Sequence, residues 1–336
     1  MRIGVALPAN GPHASASFLR TFATTCEQLD YDGLWVSDHM SWSARHAAAR
    51  FPAWAAGKDA DELRPNQYEP VATLGYLAGL TTRIRLGTAI LVLPVRNPVV
   101  LAREIASLDD LCGGRLSLGV GVGGTNLADS DFGAAGVSHL KRRRGQVTDE
   151  WIEVIKRVWS ERVCNYHGAL IDVDDAWIFP KPAQRGGVPI LVGGDSEHAL
   201  GRVARLADGS IVSRLAPADV ARRRQDLADR SAPFGRDGVH FHMVVSQWLS
   251  IDDDEAVAVT RAERALTGVQ RGGGPIAGQG TNLIGRPPRL REIVAEYESA
   301  GVDELMIQPI GESEHEVLEA LRRFAGDVLC VMRRAG

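Results

Sequence analysis

The sequence predicts an α/β protein of the (β/α)8 TIM-barrel class, carrying one inserted hairpin. Three observations predict it. Short apolar runs alternate with longer segments of helical period from residue 2 to residue 333. The runs are apolar throughout rather than at every second position, which is what a parallel sheet covered on both faces requires. Eight strand-then-helix units favour a closed ring over an open sheet, because closure leaves no edge strand to protect.

In order, "RIGVAL" (2–7) leads into a helix near 15–29, and "GLWVS" (33–37) precedes a polar loop and a helix near 70–82. "IRLGTAILV" (84–92) precedes a helix near 98–111, and "RLSLGVGVG" (115–123) precedes a long amphipathic helix near 138–160. "PILVGG" (189–194), "GSIVS" (209–213) and "HFHMVVSQWLS" (240–250) lead into helices at 196–206, 217–230 and 252–268. "ELMIQP" (304–309) closes the series with a helix over 313–333. Residues 161–188 alternate in polarity and read as an inserted hairpin, while "RGGGPIAGQGTNLIG" (271–285) reads as a mobile loop. Neither has the character of a linker, so residues 1–336 read as one domain.

Composition narrows the function classes. With 336 residues, 45% of them hydrophobic, the chain can bury most of the surface its unfolded form exposes. A net charge of −4 with the two signs interspersed gives no footprint for nucleic acid or an anionic membrane. The basic run Lys141-Arg142-Arg143-Arg144 fits a solvated face or a local anion contact. Cys26, Cys112, Cys164 and Cys330 are far apart without C-x-x-C spacing, which reads as reduced thiols in a reducing compartment. The start "MRIGVALP" is too short an apolar run for a signal peptide, and no apolar run reaches the roughly 18 residues of a spanning helix, so a cytoplasmic location is expected. His139, His167, His240, His242 and His315 have no spacing that supports a metal site.

In a barrel of this class the chemistry sits at the carboxyl ends of the strands. The second strand runs out of its apolar stretch directly into Asp38 and His39, where a buried charge would cost several kcal/mol unless satisfied. "GVGVGG" contains G-x-G-x-x-G at Gly119, Gly121 and Gly124, but the polar stretch "TNLADSDFGAAGVSH" follows in place of a helix, which rejects a dinucleotide fingerprint. In "LVGGDSEHAL", Gly193 and Gly194 precede a helix start whose free N–H groups suit an anion. A plain tight turn with Asp195 or Ser196 as N-cap reads equally well. Between Met40 and Glu69 lie Trp42, His46, Phe51, Trp54, Arg64 and Tyr68, which read as a lid over a substrate pocket or as a loop packed on a second subunit.

The stretches "YDGLWVSDH", "TTRIRLGTAILVLPVRNPVVLAREIASLDDLCGGRLSLGVGVGG", "IFPKPAQ", "VPILVGG", "RVARLADG" and "AGVDELMIQPI" run in order from residue 3 to about 330. In them the chain resembles the luciferase-like monooxygenase superfamily, and the "SDH" and "GTAIL" segments resemble its branch that uses the deazaflavin coenzyme F420. The resemblance implies a (β/α)8 barrel, a homodimer, and a ring held in the barrel mouth against a non-prolyl cis peptide at Ala89-Ile90. It implies cofactor contacts at Asp38, Thr88, Ala89, Ile90, Gly121, Gly123, Gly193 and Gly194, with Arg214 a candidate to offset Asp195 and Glu197 beside the phosphate turn. His39 is the expected proton donor or acceptor and Asp38 its helper or a ring contact. The expected activity is F420-dependent hydride transfer with a small organic substrate. The alternatives are an FMN-dependent monooxygenase served by a separate flavin reductase, and a non-catalytic flavin-binding relative. One departure stands out: where several deazaflavin enzymes carry a carboxylate after the strand-four glycines, this chain has Gly124-Thr125-Asn126.

Overall fold

Eight parallel strands form a closed barrel in chain order. They are β1 (Arg2–Ala6), β2 (Gly33–Val36), β3 (Arg85–Thr88), β4 (Leu116–Gly121), β5 (Ile190–Gly193), β6 (Gly209–Ser213), β7 (His242–Ile251) and β8 (Glu304–Pro309). Each pairs with the next, and β8 closes onto β1 in a register running from Arg2↔Glu304 to Val5↔Ile307. The structure is a computed structural model that describes residues 1–11, 13–40, 48, 55–59, 62, 65–124, 128–266 and 282–335.

The helices begin where local chemistry starts them. Ser15 caps α1 (Ala16–Gln28) by accepting from the Phe18 amide, and Glu69 and Asn97 cap α2 (Pro70–Leu80) and α3 (Pro98–Leu111), each with proline in the first turn. Proline at that position has no N–H to leave unsatisfied. Two units hold more helix than the sequence reading assigns. After β4 come α4 (Ala128–Ala134), a 3-10 turn at Ser138–Arg143, and α5 (Arg144–Ser160). After β5 and β6 come α6 (Glu197–Leu206) and α7 (Pro217–Ser231).

Between β7 and β8 the structure has α8 (Glu255–Leu266), a short strand at Leu283–Gly285 that pairs with Leu249–Ile251, and α9 (Pro287–Ser299). The stretch read as a mobile loop therefore ends in a strand, and its residues 271–281 lie outside the described residues. Helix α9 buries Leu290, Ile293, Val294 and Tyr297, a spacing of three and four that packs one face on the barrel. After β8, helix α10 (Glu314–Arg323) continues into a wider-turned segment, Phe324–Leu329, and a final helix, Cys330–Ala335.

Within 161–188, Cys164–His167 and Asp172–Ala176 pair as an antiparallel hairpin. The segment is tied back to the barrel by the Gln184 side-chain amide, which donates to Asp109 Oδ1 at 2.8 Å. Cys26, Cys112 and Cys164 are buried free thiols. Among the described residues no helix is long and apolar enough to cross a membrane.

Glycines open the barrel interior for one large side chain. A β-carbon on Gly87 would lie 2.6 Å from the Trp35 ring, and one on Gly4 would lie 2.6 Å from Trp35 Nε1. The indole fills that space and donates to the buried Glu304 carboxylate at 2.5 Å. Trp35, Leu191, Ile211, Val244 and Met306 form a cluster, against which Ala6, Ala89 and Ile90 pack.

Candidate functional site

A cavity of about 460 Å³ opens at the carboxyl ends of β1, β2, β7 and β8. Ala6, Trp35, Ala89 and Met306 supply the part of its lining that belongs to the interior cluster. Asn10, Ser37 and Gln308 bring neutral polar groups, and Leu7, Trp248 and Ile310 add apolar surface. Of the residues expected to hold a cofactor, the cavity lining includes Ala89 alone.

The Ala89–Ile90 peptide is cis. It divides the third strand, so that Arg85–Thr88 pairs with β2 while Leu91–Val92 pairs with the far end of β4. Asp38 secures this bulge from behind. Its Oδ2 accepts from the Val92 amide at 2.9 Å and from Arg96 Nη2 at 3.0 Å, and Arg96 reaches on to Glu69 Oε1 at 2.8 Å. Burial pushes the Asp38 carboxyl above its ordinary value, against the pull of the Arg96 guanidinium and the Val92 amide. At 4% exposure Asp38 braces strand three.

The partner of His39 is a different acid. Asp131, fully buried on α4, brings Oδ2 to within 3.2 Å of His39 Nδ1 and accepts from the Met40 amide at 2.8 Å through Oδ1. The His39 carbonyl accepts from the Gln67 side chain. The contact turns Nδ1 toward a fixed carboxylate and leaves Nε2 on the other side of the imidazole. Helix α4 is itself anchored, since Phe132 is fully buried against Val92.

Several of the expected contacts are spent inside the protein. Thr88 is fully buried and its hydroxyl donates to the Gly119 carbonyl at 2.7 Å, so its side chain supports the barrel wall. A β-carbon on Gly121 would collide with Ile90 Cδ1, and one on Gly193 would lie 2.5 Å from Ile90 Cγ2. These two glycines make room for Ile90. Gly123, at φ +85°, would meet Val92 Cγ1 at 3.2 Å if it carried a β-carbon.

At the end of β5 the Ser196 hydroxyl caps α6 by accepting from the Ala199 amide, so Asp195 is not the cap. Gly194 is exposed with φ +120°, a conformation that side chains rarely adopt. Arg214 is an exposed residue with φ +58°. The arginine at the turn is Arg223 on α7, which is 8% exposed and donates Nη2 to the Gly194 carbonyl at 2.9 Å. Its buried Nε has no partner among the described residues. Glu197 is paired with Arg230.

Residues 1–324 match the family model for luciferase-like monooxygenases. The chain belongs to the luciferase-like monooxygenase family. It is 35% identical over 224 residues, 65% of this chain and 75% of the relative, to an uncharacterised protein of Mycobacterium tuberculosis (strain ATCC 25618 / H37Rv). To an F420-dependent glucose-6-phosphate dehydrogenase of Kineococcus radiotolerans it is 28% identical over 246 residues, 72% of this chain and 66% of the relative. In structure it resembles monooxygenase RslO1 of Streptomyces bottropensis with a TM-score of 0.77 at 20% identity, covering 99% of this chain and 100% of that one.

This member of the luciferase-like family is thus an oxidoreductase in which His39, just beyond β2, pairs with Asp131 on α4. Asp131 supplies a carboxylate after the strand-four glycines, from seven residues beyond Gly124. Nothing in the stretch 125–139 distinguishes it from Asp129, since a short helix decides which acid faces inward. Of the aromatic stretch expected as a lid, Tyr68 is partly buried against the core, and Trp42, His46, Phe51, Trp54 and Arg64 lie outside the described residues.

Proposed function

We propose that this oxidoreductase uses coenzyme F420 to move hydride to or from a small organic substrate, with His39 giving or taking the accompanying proton. The observation that carries this reading is the His39–Asp131 pair, two residues along the chain from Ser37 in the cavity lining. The F420-dependent Kineococcus relative supports the choice of coenzyme.

The residues present suit a tricyclic ring and an anionic tail. Ala6, Trp35, Ala89 and Met306 offer apolar surface, and Ile90 braces the bulge from the β4 and β5 side. The unpartnered Nε of Arg223 beside Gly194 is the kind of buried donor that a phosphate oxygen satisfies. Ala89 and Ile90 would thus bear on the ring, and Gly193, Gly194 and Arg223 on the tail, with Asp38, Thr88, Gly121 and Gly123 holding the wall behind them.

Bound there, F420 supplies a carbon that accepts or donates hydride and does not activate oxygen. Asp131 holds the imidazole, and Nε2 would take the hydroxyl proton as the carbinol carbon of an alcohol gives up hydride. For a ketone both transfers reverse. Proton and hydride leave together, and charge balances.

A second reading, an FMN-dependent monooxygenase supplied with reduced flavin by a separate reductase, is supported by the monooxygenase description of the family. Titrating the purified protein with F420 and with FMN, followed by fluorescence, separates the two. Tight binding of F420 alone is expected; selective binding of FMN would favour the second reading.

A further inference from the structure

We propose that the cavity takes a neutral, largely apolar alcohol or ketone in preference to a phosphorylated sugar, and that Asn10 and Ser37 read its oxygen. The choice of alcohol or ketone rests on the hydride-transfer reading; the choice of neutral over anionic rests on the cavity alone.

Charge decides the second point. Among the described lining residues Arg264 is the one arginine or lysine, and its Nη1 is paired with Glu312 Oε1, also in the lining, at 3.1 Å. Both side chains are solvent-exposed, at 62% and 44%. A phosphate dianion drawn from water needs cations that are not already neutralised. Here it meets a carboxylate beside the guanidinium. The remaining ionisable group, His13, is exposed.

Hydrogen bonding decides the number of oxygens. Asn10 Nδ2 donates to Ser37 Oγ at 2.7 Å, so the pair presents the Ser37 hydroxyl hydrogen as a donor and Asn10 Oδ1 as an acceptor. The oxygen of an alcohol or of a ketone accepts from Ser37, and an alcohol's hydroxyl hydrogen is left for the acid–base group. Gln308 has already given an amide hydrogen to Ser246. Further sugar hydroxyls would be stripped of water against Leu7, Trp248, Ile310 and Val317, which offer them only apolar side-chain surface or, at Trp248, a single N–H.

Isothermal titration calorimetry on the cofactor-free protein tests this, with menthol, menthone and glucose 6-phosphate as probes. Menthol and menthone should bind saturably, and glucose 6-phosphate at least about tenfold more weakly. Ser37→Ala should weaken menthol binding by about three- to tenfold. Glu312→Gln, which removes the carboxylate paired with Arg264, should raise the affinity for glucose 6-phosphate several-fold, and it remains informative if Ser37→Ala does not fold. Tighter binding of glucose 6-phosphate than of menthol, no saturable menthol binding, or menthol binding indifferent to Ser37→Ala in a folded variant would each overturn the proposal. Since no cofactor is present, a preference for FMN in the separate cofactor titration leaves this result standing.

Discussion

Ile90 fills the space that a side chain at Gly193 would need, its Cγ2 lying 2.5 Å from where the β-carbon would stand. Gly121, on the neighbouring strand, yields to the same isoleucine through Cδ1. Both glycines, at the ends of neighbouring strands, leave room for this one side chain. The Ala89–Ile90 bulge, β4 and β5 therefore form one packed unit.

Gly193→Ala should destabilise the protein by about 1–3 kcal/mol, because an overpacked core must shift. Ile90→Ala removes the atoms it would strike. Denaturant unfolding of the two single variants and the double should give a coupling above about 0.5 kcal/mol; additive effects would mean that the two residues do not compete for space.

His39→Ala should lower turnover by about 10²- to 10⁴-fold while leaving cofactor affinity within a few-fold, since a positioned acid–base group acts on the chemical step. Asp131→Asn keeps an acceptor for the Met40 amide but alters the contact that holds His39 Nδ1. It should lower kcat more than it raises KM. Equal turnover in either variant would remove the pair from the reaction.

Glu304 anchors Trp35 from below through a 2.5 Å bond and also meets Arg2 Nε at 3.4 Å. Glu304→Ala leaves a buried indole N–H unpaired and should cost about 1–3 kcal/mol. Glu304→Gln retains an acceptor and should cost less. Chemical denaturation with indole fluorescence reads both, and equal losses would show that the bond itself contributes little.

Asp303 sets an acid limit. Burial opposes its charge, but the Met243 amide, His240 and Arg224 together hold the carboxyl below its ordinary value. Folded Asp303 therefore binds its proton less readily than unfolded Asp303, so its contribution is present above the unfolded value of about 4 and is lost as pH falls through the lower folded value. Stability measured from pH 6 down to pH 3 should fall in the last unit or so, and Asp303→Asn should flatten that fall. An unchanged slope in the variant would assign the acid limb elsewhere.

All eight barrel strands were legible, because a buried parallel strand is apolar at every position and each such run stands apart between helices. Helix α9 was also legible in principle: Leu290, Ile293, Val294 and Tyr297 have helical spacing behind Pro287, but allotting one helix to each strand hid it. Asp38 and His39 were visible as charges ending an apolar run, and their roles were not, since sequence adjacency says nothing of which acid meets the imidazole across 92 residues. Thr88 and Arg214 show the same limit. The resemblance implied a contact at Thr88 and residue type suggested one at Arg214, while the Thr88 hydroxyl bonds the Gly119 carbonyl and Arg223 donates to the Gly194 carbonyl.

The most direct test of the central claim is an anaerobic turnover of menthol by the F420-loaded protein, with deuterium at the carbinol carbon. Reduction of the cofactor without oxygen, carrying the deuterium and slowed by it, is the predicted result. Product formed only when reduced FMN and oxygen are supplied together would contradict it.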